Sequence, residues 1–339
     1  MKKIILVTIT CVFSLTNMFS QDIHFTQFYA SPLTLNPALA GVNDGTYRAT
    51  AIYRNQWQSV TVPYTTYGAS FDSRILPGKL KNNKLGVGVN FNADKSGTGK
   101  LFFMQAQVAL AYNMSLDKAG KHFIGLGLQG GYVQKSLQYN LLSFPSQYNG
   151  TDFDLTLPNN EDFNANRTSY IDFNAGLLWH SQFGERIGAF AGFTYSHINR
   201  PKETFLGSNN KLSSRYTAHG GMKIKVTEKI YITPNFIYQY QNKAHEIFLG
   251  TGLEYHIQVK NIPMIFGLGG WYRLKDAGSV SIVADIKRIR AGFAYDINSS
   301  KLRPASSSRG AYEIFLTYTG LIGGMAKTLK PIQVPCPML

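Results

Sequence analysis

Ile171-Asp-Phe-Asn-Ala-Gly-Leu-Leu-Trp-His180 carries an apolar side chain at every odd-numbered position. A β-strand sends successive side chains to opposite faces, so this spacing gives one apolar face and one face of mainly small or polar residues. The same alternation governs 247–256 and 85–92, and it recurs from about residue 47 to residue 318 between Gly, Asn, Lys and Ser turns. The sequence therefore predicts an all-β fold throughout this region.

An export signal precedes the alternating region. Lys2 and Lys3 come before a short apolar run at 4–15, and Ser20 is the predicted cleavage point, so residues 1–20 are assigned to a signal peptide. No later stretch is long and apolar enough for a transmembrane helix. Alternating strands in an exported chain are typical of a transmembrane antiparallel β-barrel in a bacterial outer membrane, and the 20 Tyr and 22 Phe suit its interfacial girdles.

About fourteen strands are predicted, an even number that suits a bacterial single-chain barrel with both ends in the periplasm. They are roughly 47–57, 65–73, 84–94, 102–114, 122–136, 170–182, 186–197, 213–226, 230–241, 244–257, 262–273, 279–286, 289–299 and 310–321. Most connections on the predicted periplasmic side are short, whereas 137–169, 198–212 and 300–309 on the opposite side are long. This asymmetry is typical of outer-membrane barrels, although 74–83 and 242–243 depart from it.

The strand pattern divides the chain into four regions. Residues 1–20 are the signal peptide, 21–46 an N-terminal periplasmic or plug segment, 47–321 the β-barrel, and 322–339 a periplasmic C-terminal tail. The segment 21–46 lacks alternation and contains two prolines, and the tail contains three more. Neither region is therefore predicted to form a strand of the barrel wall.

Charge and cysteine content limit the partners and the kinds of site that the chain can have. The net charge of +15 favours lipid phosphates and acidic protein partners in an exported protein. No nucleic-acid-binding motif accompanies the charge, so no nucleic-acid partner is predicted. Cys11 lies in the signal peptide and leaves Cys336 alone in the mature chain, which excludes an internal disulfide and a thiol metal cluster.

No catalytic, cofactor-binding or metal site is predicted. Gly125-Leu-Gly-Leu-Gln-Gly130 matches the dinucleotide fingerprint as a string, but it lies inside an alternating strand, where glycines indicate a crowded lumen face or strong curvature of the strand. The acidic residues of 152–162 fit no calcium loop. We therefore predict a protein that is not an enzyme. An outer-membrane hydrolase stays an alternative that a Ser–His–acid geometry at a strand end would revive.

Several blocks of the sequence resemble one family. They are Gln21-Asp-Ile-His-Phe-Thr-Gln-Phe-Tyr29, Pro32-Leu-Thr-Leu-Asn-Pro-Ala-Leu-Ala-Gly41, Tyr53-Arg-Asn-Gln-Trp57, and the looser Ser70-Phe-Asp72, Gly86-Val-Gly88 and Gly310-Ala-Tyr-Glu-Ile314. Together they are similar to the PorP/SprF family, outer-membrane proteins of the type IX secretion and gliding machinery of Bacteroidota. The ending Val334-Pro-Cys-Pro337 resembles the family's Cys-Pro tail, but Met338 and Leu339 replace its usual Arg and aromatic residue.

The resemblance implies an outer-membrane protein that helps export or anchor an adhesin-like surface protein with a C-terminal sorting domain. It also implies links to periplasmic or outer-membrane secretion components, in a barrel surrounded by outer-membrane lipid. The residues assigned to structural or partner contacts are Gln27, Phe28, Tyr29, Asn36, Pro37, Ala38, Gly41, Arg48, Arg54, Gln56, Trp57, Cys336 and Pro337. Of these, we expect Arg48, Arg54, Gln56 and Trp57 to anchor the N-terminal segment to the barrel wall.

A channel or transporter for a small hydrophobic or anionic solute is the alternative function. A barrel with this number of strands has room for a pore or for a plugged lumen. Inward-facing positive charge would suit an anionic solute. The sequence leaves open whether the lumen is open or plugged.

Overall fold

The chain forms one closed barrel of fourteen antiparallel strands, in which each strand pairs with its neighbours in sequence and β1 pairs with β14. The computed structural model describes residues 22–60, 62–76, 79–161, 163, 165–205, 207 and 209–322. The strands are β1 (Tyr47–Gln56), β2 (Tyr64–Ile75), β3 (Lys84–Ser96), β4 (Leu101–Ser115), β5 (His122–Ser136), β6 (Arg167–Phe183), β7 (Ile187–Ser196), β8 (Arg215–Lys225), β9 (Ile230–Gln241), β10 (Ala244–Val259), β11 (Ile262–Arg273), β12 (Ala277–Ile286), β13 (Ile289–Asn298) and β14 (Arg309–Gly320). The predicted all-β transmembrane barrel is confirmed.

The outer surface of the barrel is the apolar face that the alternation predicts. On β6, the side chains of Ile171, Phe173 and Leu177 are about half exposed, whereas Asp172 and Leu178 are buried inside the barrel. The other strands repeat this arrangement with exposed Val, Leu, Ile, Phe and Tyr side chains. Such a continuous apolar exterior suits the hydrocarbon region of a bilayer.

Strand ends differ from the predicted ones by up to three residues. β6 begins at Arg167 rather than at residue 170, because Arg167 pairs with Ser136 of the long neighbouring strand β5. β1 ends at Gln56, since Trp57 adopts a left-handed backbone conformation with φ +59°. Pairing with neighbours and turn geometry set these ends, and alternation alone does not report them.

The connections are longer at one end of the barrel than at the other. The loops 137–166 and 197–214 lie at the same end, and the short turns 184–186, 260–261 and 287–288 lie at the opposite end. Bacterial outer-membrane barrels have long external loops and short periplasmic turns. This rule assigns the end that carries 137–166 to the cell exterior and places residue 47, the start of β1, at the periplasmic end.

The described N-terminal residues, 22–46, pass through the lumen from one mouth to the other. Asp22 contacts His197, just beyond the external end of β7, whereas Asn43 contacts Asp72 near the periplasmic end of β2. Between these contacts the segment forms short helical turns at Phe28–Ala30, Pro32–Leu35 and Pro37–Leu39. We call residues 22–46 the luminal segment. No helix among the described residues has the length and apolar character to cross a membrane.

The core of the molecule lies between the luminal segment and the barrel wall. The segment contributes buried apolar side chains such as Phe28 and Leu39, and the wall contributes Leu178, Phe248 and Phe315. The inward face of the strands is therefore more apolar than the alternation predicts. The reason is that these wall residues pack against the apolar side chains of the segment rather than against water.

Candidate functional site

Arg54 on β1 holds the outer half of the luminal segment. Its guanidinium donates hydrogen bonds to Thr26 Oγ1 (2.9 Å), to Asp296 on β13 (3.1 Å) and to Glu313 on β14. Glu313 also accepts hydrogen bonds from the backbone N–H groups of Thr26 (2.6 Å) and Gln27 (2.8 Å). All five residues are buried. A charged network therefore fastens the segment to three neighbouring strands.

Arg273 on β11 extends this network around the wall. Its guanidinium donates to Thr26 Oγ1 (3.2 Å) and to Asp276 (2.8 Å), and it lies 3.9 Å from Asp296. Asp296 thus lies between two arginines, whereas Glu313 is paired with Arg54. Buried charges are tolerated when they are paired and hydrogen-bonded, so the removal of one partner is costly.

Asp72 on β2 holds the inner end of the luminal segment. Its carboxylate accepts hydrogen bonds from the backbone N–H of Gly41 (2.9 Å), from Asn43 Nδ2 (2.9 Å) and from Arg48 Nε (2.8 Å). Arg74 on the same strand donates from Nε to the Gly41 carbonyl (2.9 Å). A second hydrogen-bonded and charged network therefore holds the segment near the periplasmic mouth.

The middle of the luminal segment packs directly on the backbone of the wall. A Cβ atom at Gly176 would lie 2.0 Å from Asn36 Oδ1, and one at Gly127 would lie 2.2 Å from the Ala38 nitrogen. Asn36 Nδ2 donates to the Leu177 carbonyl (2.9 Å), and Asn36 Oδ1 accepts from the Ala38 N–H (2.9 Å). Gly127 belongs to the fingerprint-like glycine string, and its role here is to make room for the segment.

Aromatic side chains complete the packing of the segment. Phe28 meets Phe248 edge to face, with ring centroids 6.1 Å apart, and Tyr29 meets Phe315 in the same way at 5.8 Å. The Tyr29 hydroxyl donates to Gln27 Oε1 (3.2 Å). Edge-to-face pairs of this kind add stability beyond the area that they bury.

The structure brings most of the sequence-predicted site residues together in the lumen. Those on the luminal segment are Gln27, Phe28, Tyr29, Asn36, Pro37, Ala38 and Gly41, all of them buried. Arg48 and Arg54 contact the segment from the wall, and Gln56 accepts a long hydrogen bond from Arg54 Nε (3.4 Å). Trp57 instead lies beyond the end of β1 and packs on Tyr64, with ring centroids 5.0 Å apart. Cys336 and Pro337 lie outside the described residues.

Two acidic wall residues that hold the luminal segment, Asp72 and Glu313, are absent from the set predicted from the sequence. Asp72 and Glu313 stand in Ser70-Phe-Asp72 and Gly310-Ala-Tyr-Glu-Ile314, blocks that carry the family resemblance. An acidic residue on the inward face of a membrane strand is the signal that could have found them. Such a residue needs a buried partner, and the luminal segment provides several donors.

His197 holds the start of the luminal segment at the external mouth. Its Nε2 lies 2.7 Å from Asp22 Oδ2, and its Nδ1 lies 2.9 Å from Asp172 Oδ1. Burial disfavours the imidazolium, but the carboxylates of Asp22 and Asp172 outweigh it and raise the pKa of His197 to about 9. Burial likewise opposes ionisation of Asp22, yet His197 and Arg215 hold the pKa of that carboxyl well below its usual range.

The external clasp formed by His197 is expected to weaken at alkaline pH. The pKa of His197 rises from 6.5 to about 9 on folding, so its contribution is complete below pH 6.5 and is lost as the pH rises through 9. The free energy of unfolding of the detergent-solubilised barrel should fall between pH 6 and pH 10 by on the order of 3 kcal/mol more than that of His197→Gln. Chemical denaturation at both pH values measures this difference. Equal pH dependence of the two proteins would contradict the clasp.

The described residues contain no group of three or more His, Cys, Asp or Glu side chains placed to hold a metal ion. The lumen instead contains a packed internal segment that the wall holds through hydrogen bonds and ion pairs. We therefore regard the occupied lumen, together with the two mouths, as the candidate functional site.

Comparisons with known proteins agree with this architecture. A family model described as type IX secretion system membrane protein PorP/SprF matches residues 17–318. The search of curated proteins found no match. Among solved structures, the toluene transporter TodX of Pseudomonas putida has a TM-score of 0.51 at 9% identity, with 88% of this chain and 94% of that chain covered. The CymD monoaromatic hydrocarbon channel has a TM-score of 0.47 at 10% identity, with 86% of this chain and 92% of that chain covered. At 9% identity the likeness to TodX is one of fold alone.

Proposed function

Because the chain belongs to the PorP/SprF family of type IX secretion system membrane proteins, we propose that it helps export or anchor a surface protein that carries a C-terminal sorting domain. The family membership makes the chain an outer-membrane component of that secretion system. The more specific role, export or anchoring of the surface protein, rests on the surfaces with which the barrel can contact a partner. It is a binding role, with the external loops facing the exported protein and the periplasmic mouth facing the rest of the machinery.

The occupied lumen is the observation that carries this proposal. The luminal segment is held by Arg54 in its outer half and by Asp72 at its inner end, and its middle rests on the wall backbone. A barrel that is filled by its own chain has little room for a passing solute. Its useful surfaces are therefore its loops and its two mouths.

The external loop 137–166 supports contact with a protein partner. It carries large apolar side chains in water, among them Tyr148 and Phe153, which are each 51% exposed, and Leu155, which is 53% exposed. Tyr148 and Phe153 form an isolated β-bridge and pack their rings together, with centroids 5.3 Å apart. An ordered apolar patch on a surface loop is typical of a protein-binding site.

The test is retention of the surface protein by variants of this loop. The triple substitution of Tyr148, Phe153 and Leu155 by Ser should abolish co-purification of the surface protein with the tagged barrel from native membranes. It should also reduce surface display, while the barrel stays folded. Leu302→Ser is the matched control, because Leu302 is an exposed apolar residue of a different external loop. Normal display of every sorting-domain protein in a strain that lacks the chain would sink the proposal.

The solute channel is the competing function, and planar bilayers separate it from the anchor. The intact chain should give no steady conductance if the luminal segment keeps its place. Robust, solute-selective conductance by the intact chain would instead favour the channel. The number of strands permits both outcomes, whereas the filled lumen supports only the first.

A further inference from the structure

A cavity of about 200 Å³ lies at the periplasmic mouth, between the luminal segment and the wall formed by β12, β13, β14 and β1. We call it the basic vestibule. Its charged lining residues are Asp44, Arg48, Asp285, Lys287, Arg288 and Arg290. Four cationic side chains against two anionic ones leave two net positive charges around a space large enough for a small side chain or terminal group. The proposed export role turns the periplasmic mouth toward the rest of the machinery but assigns no ligand to this cavity.

Two of the four cations are available to an incoming anion. Arg48 is paired with Asp72 at 2.8 Å, and Arg290 is paired with Asp285 at 3.1 Å. Lys287 and Arg288 occupy the exposed turn between β12 and β13. In the described part of the chain, the side chains of that turn make no ion pair. They therefore stand at the entrance with their charge directed to solvent and to the cavity.

The remaining lining of the basic vestibule favours a carboxylate over a phosphate. Asp44 and Asp285 add negative charge that would oppose a dianion more strongly than a monoanion. Tyr29 and Phe315 form an apolar floor, and Thr317, whose hydroxyl is hydrogen-bonded to Thr50 Oγ1 (3.1 Å), also lines the cavity. An apolar floor suits the hydrocarbon that carries a carboxylate, and it offers nothing to a fully hydrated phosphate.

The position of the cavity favours a ligand from the periplasm over a membrane lipid. Its walls are the inner faces of strands that are hydrogen-bonded all round the barrel, so a lipid in the surrounding leaflet has no lateral entry. The open side faces the periplasmic mouth, beside the turn residues Lys287 and Arg288. Arginine guanidinium groups are well matched to carboxylates in such partly enclosed sites.

We propose that the basic vestibule binds the C-terminal carboxylate of a peptide chain that approaches from the periplasm, and that the apolar side chain next to this carboxylate rests on Tyr29 and Phe315. Arg288 and Lys287 receive the carboxylate at the entrance. Thr317 supplies a neutral hydrogen bond deeper in the cavity. The site does not depend on the proposed export role, because the isolated barrel in detergent is enough to test it.

Binding of a labelled peptide to the purified full-length barrel tests the proposal. The probe is a fluorescein-labelled Gly-Gly-Ser-Leu-Leu peptide with a free C-terminal carboxylate, and the comparison is the same peptide with a C-terminal amide. The acid should bind at low salt at least about ten-fold more tightly than the amide, since the charge-assisted hydrogen bonds are lost in the amide. The double variant Lys287→Gln/Arg288→Gln should lose about the same factor for the acid.

The matched control is Lys260→Gln, because Lys260 is an exposed cation in another turn at the same rim and does not line the cavity. It should bind the acid peptide as the unaltered chain does. The proposal is overturned if acid and amide bind equally, or if the double variant and Lys260→Gln behave alike. It is also overturned if inorganic phosphate displaces the peptide at lower concentration than N-acetyl-leucine does.

Discussion

Removal of residues 24–40 is expected to convert the closed barrel into a pore that conducts ions steadily in planar lipid bilayers. These residues provide most of the material inside the lumen, including the apolar side chains that pack on Phe248 and Phe315. The wall does not depend on them for closure, because β1 pairs with β14 along its whole length. Barrels of more than about eight strands leave interior space unless something fills it.

A deletion of equal length in the external loop, residues 145–161, is the control for the pore. It shortens the chain to the same extent but leaves the luminal segment in place, so it should stay non-conducting. Heat-modifiable migration of both deletion variants in electrophoresis would show that each barrel is folded. A folded 24–40 deletion that conducts no better than the loop deletion would mean that this segment is not what closes the lumen.

The substitution Arg54→Met is expected to have the second-largest effect, a loss of about 3–5 kcal/mol in the free energy of unfolding. The guanidinium of Arg54 neutralises two buried acids, Asp296 and Glu313, and it donates to Thr26 on the luminal segment. Methionine keeps much of the side-chain volume but removes the charge. Asp296 and Glu313 then stay buried without the positive charge and the hydrogen bonds that Arg54 provides.

Arg309→Met is the matched control for Arg54→Met. Arg309 is an exposed arginine at the external end of the adjacent strand β14, so its replacement should change the free energy of unfolding by less than about 0.5 kcal/mol. Denaturant unfolding of the two detergent-solubilised variants measures both effects. A loss for Arg54→Met as small as that for Arg309→Met would show that the buried network does not hold the segment.

The sequence was sufficient for the wall of the barrel because strand alternation is a local property. Ile171, Phe173 and Leu177 face outward as their spacing predicts, and fourteen strands form where fourteen were predicted. Each strand repeats the same two-residue pattern, so an error at the end of one strand does not change the prediction of the other strands. Cross-strand pairing then fixes the ends, as it does for Arg167 opposite Ser136.

The contacts inside the lumen could not be predicted from the sequence, because they join residues that are far apart in the chain. Thr26 meets Glu313, and Asp22 meets His197, only after the whole barrel has closed in one register. The sequence indicates that 21–46 is irregular and predicts that Arg48 and Arg54 anchor it to the wall. The sequence contains no information on the direction in which the segment crosses the lumen. An irregular, proline-containing stretch could begin at either mouth of the barrel.

Cysteine labelling on cells tests most directly the central claim that the luminal segment crosses the barrel from the outer mouth to the inner one. Asp22→Cys and Asp44→Cys are made separately in a Cys336→Ser chain and exposed to a membrane-impermeant thiol reagent. Asp22 lies at the external mouth beside His197, and Asp44 lies at the periplasmic mouth in the basic vestibule. Position 22 should label on intact cells, and position 44 only after the outer membrane is permeabilised. Labelling of both positions only after permeabilisation would place the segment in the periplasm and contradict the account.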